Sequence, residues 1–286
     1  MPDTPSVAAD YSSEDLGRVR ATCLYVATIL GDLLDQFVIV GGLVPSLLIP
    51  NLSLSEGEDP HVGTMDLDLG LALGLLDAHR YEDLTERLRG ADFEPDTNEQ
   101  GNRTFQRWKI EPSHQAKITV DFLMPPSNPE DEGGQIRNIE EDFAAIITPG
   151  LHLAFEDRDR IPLVDTTIYG ENATREVWVC GPGAYVVLKA LALRQRGKRK
   201  DAYDLYYVIR HYGQGIEDVY ERLAPLLDDP NAREALNILR SDFCEPTQIG
   251  PKRVARFLYG EENDELQADA AGLVRELVSR FDSNYF

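Results

Sequence analysis

Thr64-Met65-Asp66-Leu67-Asp68-Leu69-Gly70 is the stretch of this chain whose reading decides the fold. It alternates apolar and acidic residues. Successive side chains of a β-strand point to opposite faces, so Asp66 and Asp68 share one face and Leu67 and Leu69 the other. Two positions along a strand lie roughly 7 Å apart, close enough for both carboxylates to lean onto one hard cation or a pair of them. Two uncompensated carboxylates on a half-buried strand are costly, and a bound Mg²⁺ removes that cost. In a chain with 50 Asp plus Glu among 286 residues, an Asp-x-Asp also arises by chance. Asp157-Arg158-Asp159 reads that way, as a solvated turn among charges.

The context separates the first pair from the second. Upstream stands Phe37-Val38-Ile39-Val40-Gly41-Gly42, an apolar run closed by two glycines. Residues 36–40 read as a buried strand and 43–48 as a short helix. A glycine turn before a helix offers free N–H donors and a dipole that favours an anion, so Gly41 and Gly42 point to phosphate; a plain tight turn is the plainer reading. Downstream, Ile118-Thr119-Val120-Asp121-Phe122-Leu123 puts a third aspartate among apolar residues at a strand end. Asp121 reads either as a turn aspartate bonding its own backbone or as a third metal ligand or general base. No G-x-x-x-x-G-K-[ST] and no G-x-G-x-x-G after a strand is present, which removes a P-loop and a dinucleotide fingerprint.

The remaining pattern gives the organisation. Residues 16–34 carry helical periodicity after the start signal Ser12-Ser13-Glu14-Asp15, and 80–89 do so again. Residues 50–63 read as a polar loop of a kind that can move. Residues 66–73, 104–110 and 117–123 alternate as strands, the last two as a pair. Two or three short strands follow up to Cys180. Beyond Gly181-Pro182-Gly183 the pattern is helical nearly throughout, with Pro182 suited to a first helical position. The expected fold is α+β: a mixed-sheet core over 1–181 followed by a C-terminal helical bundle over 182–286.

Composition narrows the class. A hydrophobic content of 42% and a charged content of 27% describe a soluble globular protein, and no apolar run reaches membrane-spanning length. Met1-Pro2-Asp3-Thr4 shows no basic, apolar leader, and three scattered cysteines (Cys23, Cys180, Cys244) fit a reducing cytoplasm. The net charge of −22 repels nucleic acid in general. Residues 185–211 run against it, with seven basic side chains and two acidic ones, a local excess of +5.

Taken together, these residues resemble the nucleotidyltransferase superfamily that includes DNA polymerase beta: strand, Gly-Gly, helix, Asp-x-Asp, then a distant strand aspartate. Within it the chain is similar to the AbiEii/AbiGii-type toxins of type IV toxin–antitoxin systems. Lys189-Ala190-Leu191-Ala192-Leu193-Arg194 and Lys200-Asp201-Ala202-Tyr203-Asp204-Leu205 carry that likeness, as a helical lysine followed by Lys-Asp-x-x-Asp-Leu. The resemblance covers about residues 36–210. It implies that Gly41, Gly42 and Ser46 hold phosphate and that Asp66, Asp68 and Asp121 hold Mg²⁺ or Mn²⁺. It implies that Lys189 faces the nucleotide triphosphate and that Asp201 acts in catalysis or orients the lysine. Two departures stand out. The spacer from Gly42 to Asp66 is 23 residues, longer than usual, and His61-Val62-Gly63-Thr64 occupies the place where an Arg often precedes Asp-x-Asp.

The resemblance implies transfer of a nucleoside monophosphate from an NTP to a hydroxyl, with RNA, especially the tRNA 3′ end, as acceptor. It also implies an antitoxin encoded nearby. The alternatives are a small molecule such as an antibiotic, or a protein, as acceptor, and a non-catalytic nucleotide-binding scaffold that keeps the fold. In the first case the basic 185–211 stretch is expected to touch the acceptor or the triphosphate.

Overall fold

The chain folds into a mixed α+β structure, described by a computed structural model over residues 5–72, 78–112 and 116–283. In order it runs α1 (Ser13–Leu30), β1 (Phe37–Val40), α2 (Val44–Leu48), β2 (Asp66–Leu71), α3 (Ala78–Gly90), β3 (Glu94–Thr97), β4 (Arg103–Ile110) and β5 (Ile118–Met124). There follow β6 (Ile136–Glu140), β7 (Phe143–Ile147), α4 (Leu153–Glu156), β8 (Arg158–Thr166) and β9 (Asn172–Cys180). Six helices complete it: α5 (Pro182–Gln195), α6 (Arg199–His211), α7 (Ile216–Leu223), α8 (Pro230–Asp242), α9 (Ile249–Tyr259) and α10 (Asp264–Ser283). None of the described helices is long and apolar enough to cross a membrane.

The chain divides into two compact units. One comprises Ser13–Val44 and Gly63–Cys180, the other Met1–Ser12, Pro45–Val62 and Gly181–Phe286. The long spacer seen in the sequence thus belongs largely to the helical unit and not to the unit of the strands that it joins.

The first unit is built on one mixed sheet in the order β3-β4-β5-β2-β1-β9-β8. β1 and β2 are antiparallel, whereas β2 and β5 run parallel, with Asp66 beside Thr119 and Asp68 beside Asp121. β4 pairs antiparallel with the first half of β5, and β7 takes over at Leu123 and Met124. The apolar face of β2 is closed, Leu67 at 0% exposure and Leu69 at 3%. Each such buried leucine contributes about 2 kcal/mol, which fixes the register and thereby the face on which the aspartates emerge. α1 covers the sheet with Val19, Cys23, Val26, Ala27 and Leu30, a helical stripe.

Several local expectations change. The first helix stops at Leu30 and not Leu34, because Gly31 turns left-handed (φ +53°) and the chain goes on as a 3₁₀ helix to Gln36. β2 ends at Leu71; Leu73, the last residue of the expected strand, lies outside the described residues. Asp157-Arg158-Asp159 is no solvated turn: Asp157 is 5% exposed at the end of α4, and Arg158 opens β8. β8 and β9 are nine residues each, longer than the short strands expected there.

The second unit is helical. α5 begins at Pro182 on Gly181, as the sequence indicates. α6 presents Ala202, Leu205, Val208 and Ile209 to its core. The segment 50–63 is held, contrary to the expectation of a loop free to move. Glu58 meets His211 at 3.2 Å and Tyr207 Oη donates to the Asp59 carbonyl at 3.4 Å. His61 meets Asp204 at 2.8 Å, and the Val62 N–H donates to Tyr203 Oη at 3.2 Å. All four ties run to α6.

Candidate active site

Within the sheet unit, Asp66, Asp68 and Asp121 converge as the alternation of β2 indicates. One carboxylate oxygen from each lies within 4.8 Å of the other two. Register explains it: Asp68 and Asp121 are direct neighbours on parallel strands, and Asp66 is two residues back on the same face. Asp66 and Asp68 are half-buried, while Asp121 is 4% exposed. Thr64 Oγ donates to Asp66 Oδ1 at 2.8 Å. Asp121 is not a strand-end turn residue, since β5 continues for three residues beyond it.

Gly41 shapes the same cluster. Its φ is +71°, a conformation L side chains rarely adopt. A Cβ there would lie 1.8 Å from Asp68 Oδ2. The glycine is therefore what lets the turn pass against the Asp68 carboxylate. Gly42 is buried in the same 3₁₀ turn, Gly41–Leu43. Ser46 sits in α2, on the stretch that groups with the helical unit.

A residue that no sequence motif marks completes the cluster. Arg107 on β4 stands directly opposite Asp121 on β5. Its Nε donates to Asp121 Oδ1 at 2.6 Å and its Nη2 to Oδ2 at 2.5 Å, a two-pronged ion pair. Hydrogen bonding to Asp121 raises the Arg107 pKa, so the guanidinium stays charged. Burial pushes the Asp121 carboxyl up, and the Arg107 fork pulls against it. Only the strand register exposes this pairing.

The other predicted residues assemble separately, within the helical unit. Lys189 on α5 is 5% exposed and donates to Asp201 Oδ1 at 3.0 Å and to Asp204 Oδ2 at 2.7 Å. Arg196 forks onto Asp201 at 2.8 and 2.7 Å, and Lys200 reaches Asp204 Oδ1 at 2.8 Å. Asp201 and Asp204 are 2% and 0% exposed, so this is a buried network and not surface pairing along a helix. Burial disfavours charge on both carboxyls, but Lys189 and the cations beyond it hold Asp204 well below the usual carboxylate range and Asp201 below it. Burial likewise opposes the Lys189 charge, yet the two carboxylates outweigh it and raise its pKa. Lys200 is lowered, chiefly by burial.

His61 is the second functional candidate that sequence reasoning missed. Burial brings its pKa down to about 4, so the ring is neutral near pH 7 and donates Nε2–H to Asp204. It stacks on Tyr203 at 5.2 Å between ring centres and meets Tyr207 edge-on. The basic stretch 185–211 is likewise changed by the structure. Lys189, Arg194, Arg196, Lys200 and Arg210 are all ion-paired to carboxylates of their own unit. The expected basic contact surface is mostly neutralised internally.

Comparison with known proteins gives the family. A family profile described as "Nucleotidyl transferase AbiEii toxin, Type IV TA system" matches residues 27–283. An uncharacterized protein of Aquifex aeolicus (strain VF5) is 25% identical over 117 residues, 37% of this chain. The match spans 55% of that protein's length. Among solved structures, an antigenic nucleotidyltransferase-like protein from Paracoccidioides brasiliensis matches with 21% identity and a TM-score of 0.42. That alignment covers 80% of this chain and 94% of the other.

Proposed function

Because the chain belongs to the AbiEii nucleotidyl transferase toxin family of type IV toxin–antitoxin systems, we propose that it moves a nucleoside monophosphate from an NTP to a hydroxyl of RNA, with the tRNA 3′ end as the favoured acceptor. The observation that carries the reading is the convergence of Asp66, Asp68 and Asp121 on one face of adjacent strands. Three hard oxygen donors with Thr64 behind one of them suit Mg²⁺ or Mn²⁺. When bound, such an ion withdraws charge from the phosphates and acidifies the attacking hydroxyl.

The reaction forms a bond from the acceptor oxygen to the α-phosphorus and breaks the bond from that phosphorus to the oxygen bridging to the β-phosphorus, releasing pyrophosphate, and the acceptor's hydroxyl proton passes to water. The chain's own residues hold the parts in place. Gly41 keeps the turn clear of Asp68, and the turn Gly41–Gly42 with Ser46 is assigned to phosphate oxygens. Lys189 and Asp201 enter through the family likeness. Lys189 serves as a cation for phosphate, and Asp201 orients it at 3.0 Å. A nearby antitoxin gene is part of the same proposal.

Incubation with Mg²⁺, labelled NTPs and total RNA tests this, with label expected on RNA and lost in Asp66→Asn. Undiminished transfer by Asp66→Asn would sink the metal reading. One observation favours a second acceptor class, a cationic small molecule or a protein: the net charge of −22, with the basic stretch neutralised internally. Label on such an acceptor and none on RNA selects it.

A further inference from the structure

Arg107 is tied to Asp121 by one edge of its guanidinium. Nε and Nη2 donate to Asp121 Oδ1 and Oδ2 at 2.6 and 2.5 Å. A guanidinium carries five N–H donors in a rigid plane. The fork onto Asp121 uses two of them and leaves three, both on Nη1 and the second on Nη2. Among the described residues Nη1 meets no hydrogen-bond acceptor. The side chain of Arg107 is 41% exposed and that of Asp121 only 5%, so the carboxylate is covered while the guanidinium stays open. The outward edge, held in place by the inner fork, has the donor spacing that matches two oxygens of a phosphate.

Strand register indicates which reactant carries that phosphate. Arg107, Asp121, Asp68 and Val40 stand side by side on β4, β5, β2 and β1. Gly41 follows Val40, and a Cβ on it would lie against Asp68. The glycine turn and Arg107 therefore flank the carboxylates from opposite sides, three strand spacings or roughly 14 Å apart. The turn is assigned to the phosphates of the NTP. In phosphoryl transfer the attacking and leaving oxygens lie roughly in line, so the acceptor comes from the side away from the departing pyrophosphate. That is the flank on which Arg107 stands.

We propose that Arg107 is an acceptor-binding residue whose outward edge takes the phosphodiester of the acceptor's terminal nucleotide while that nucleotide's hydroxyl lies at the carboxylates. The proposal rests on the transferase reading with RNA as acceptor. In an RNA end the phosphodiester and the reacting hydroxyl sit on one ribose, so a single planar group can hold the first and set the second against Asp121. On a chain of net charge −22, an anchored donor of this kind supplies locally the attraction for phosphate that the overall charge withholds.

The test uses the full chain, Mg²⁺, labelled NTP and two hairpin RNAs that copy the acceptor stem and 3′ end of a tRNA. The two differ in the last internucleotide linkage, a natural phosphodiester in one and an uncharged methylphosphonate in the other. Both carry a 2′-O-methyl group on the nucleotide before that linkage. The wild type is expected to favour the natural RNA by about thirtyfold in kcat/KM, the scale of a hydrogen bond to a charged group. Arg107→Ala should lose about as much on the natural RNA and show no preference between the two, with the KM for NTP within about twofold of the wild type. A variant that loses activity on both RNAs and keeps the preference marks Arg107 as a support for Asp121 alone and overturns the proposal. A raised KM for NTP with the preference kept gives the phosphate to the nucleotide and overturns it too. Should Arg107→Ala fail to fold, Arg107→Gln keeps a hydrogen bond to Asp121 and is read the same way. Equal labelling of the two RNAs by the wild type overturns the proposal alone and needs no variant. Labelling of neither overturns the RNA reading of the acceptor, and the proposal with it.

Discussion

Replacing Gly41 by alanine tests whether the glycine turn is there to make room for Asp68. Two costs are separable. The first is conformational: φ is +71°, and an L residue there loses about 1 to 2 kcal/mol. The second is steric. The new Cβ would lie 1.8 Å from Asp68 Oδ2, 2.6 Å from its Cγ and 2.9 Å from its Cβ. Rotating the Asp68 side chain moves the oxygen and the Cγ but leaves the Cβ where it is. The β1–β2 pairing must therefore open by about half an ångström to restore ordinary contact at 3.4 Å. Gly170→Ala is the matched control, at φ +81° in the same unit with nothing within 4 Å of the added carbon. In urea unfolding, Gly170→Ala should lose about 1 kcal/mol and Gly41→Ala about 2 to 3. The nucleotidyl-transfer assay should separate them further, with Gly170→Ala unaffected and Gly41→Ala down about a hundredfold, the usual effect of a catalytic group misplaced by about an ångström. A Gly41→Ala protein as stable as Gly170→Ala, with wild-type transfer, refutes the reasoning.

Two further outcomes follow from the buried network of the helical unit. Asp204→Asn leaves the Lys189 and Lys200 ammonium groups short of a carboxylate in the interior and should cost about 3 to 5 kcal/mol in urea unfolding. Asp242→Asn, which breaks a half-exposed pair with Arg194, should cost less than about 1, and equal losses for the two would contradict the burial argument. His61 sets a pH window. Its pKa is about 4 in the fold against 6.5 for the free side chain, so between those values the unfolded chain binds a proton the folded one does not. Stability is then complete above pH 6.5 and falls by about 3 kcal/mol as pH drops towards 4. His61→Gln should flatten that window, and an unchanged slope in the variant would remove His61 as its source.

The sheet face was legible because its signal is local. Alternation in 66–69 assigns faces wherever one side is buried, and burial of Leu67 and Leu69 makes that assignment hold. The switch to helices at Pro182 was equally local, carried by a proline at a first helical position. What stayed hidden depends on pairing between distant segments. Arg107 looks like any basic residue of an alternating strand until the β4–β5 register sets it against Asp121. His61 lies 143 positions from Asp204, and nothing near it in sequence marks it as buried. The basic stretch misled for a related reason: composition counts charges but not their partners, and five of its cations have carboxylates within their own unit. The helix ending at Leu30 was missed because an apolar pattern runs on past Gly31, where the backbone turns left-handed.

The two carboxylate clusters differ in the charge that surrounds them, and that difference separates their roles. Around Asp201 and Asp204, the Lys189 and Lys200 ammonium groups and the more exposed Arg196 guanidinium meet two buried carboxylates within 2.7 to 3.0 Å, and even the imidazole ring is enlisted as a donor. Such a network satisfies its own carboxylates. It fixes α5 against α6 and holds His61, five positions ahead of Asp66 in sequence. In the strand cluster the Arg107 guanidinium pairs with Asp121, and Asp66 and Asp68 remain half-open to water. Around Asp201 and Asp204 three cations meet two carboxylates, so that cluster has no negative charge left for a metal, whereas an excess of negative charge held at close range by strand register invites a cation. It is therefore the strand cluster, and not the buried one, whose charge suits a metal ion.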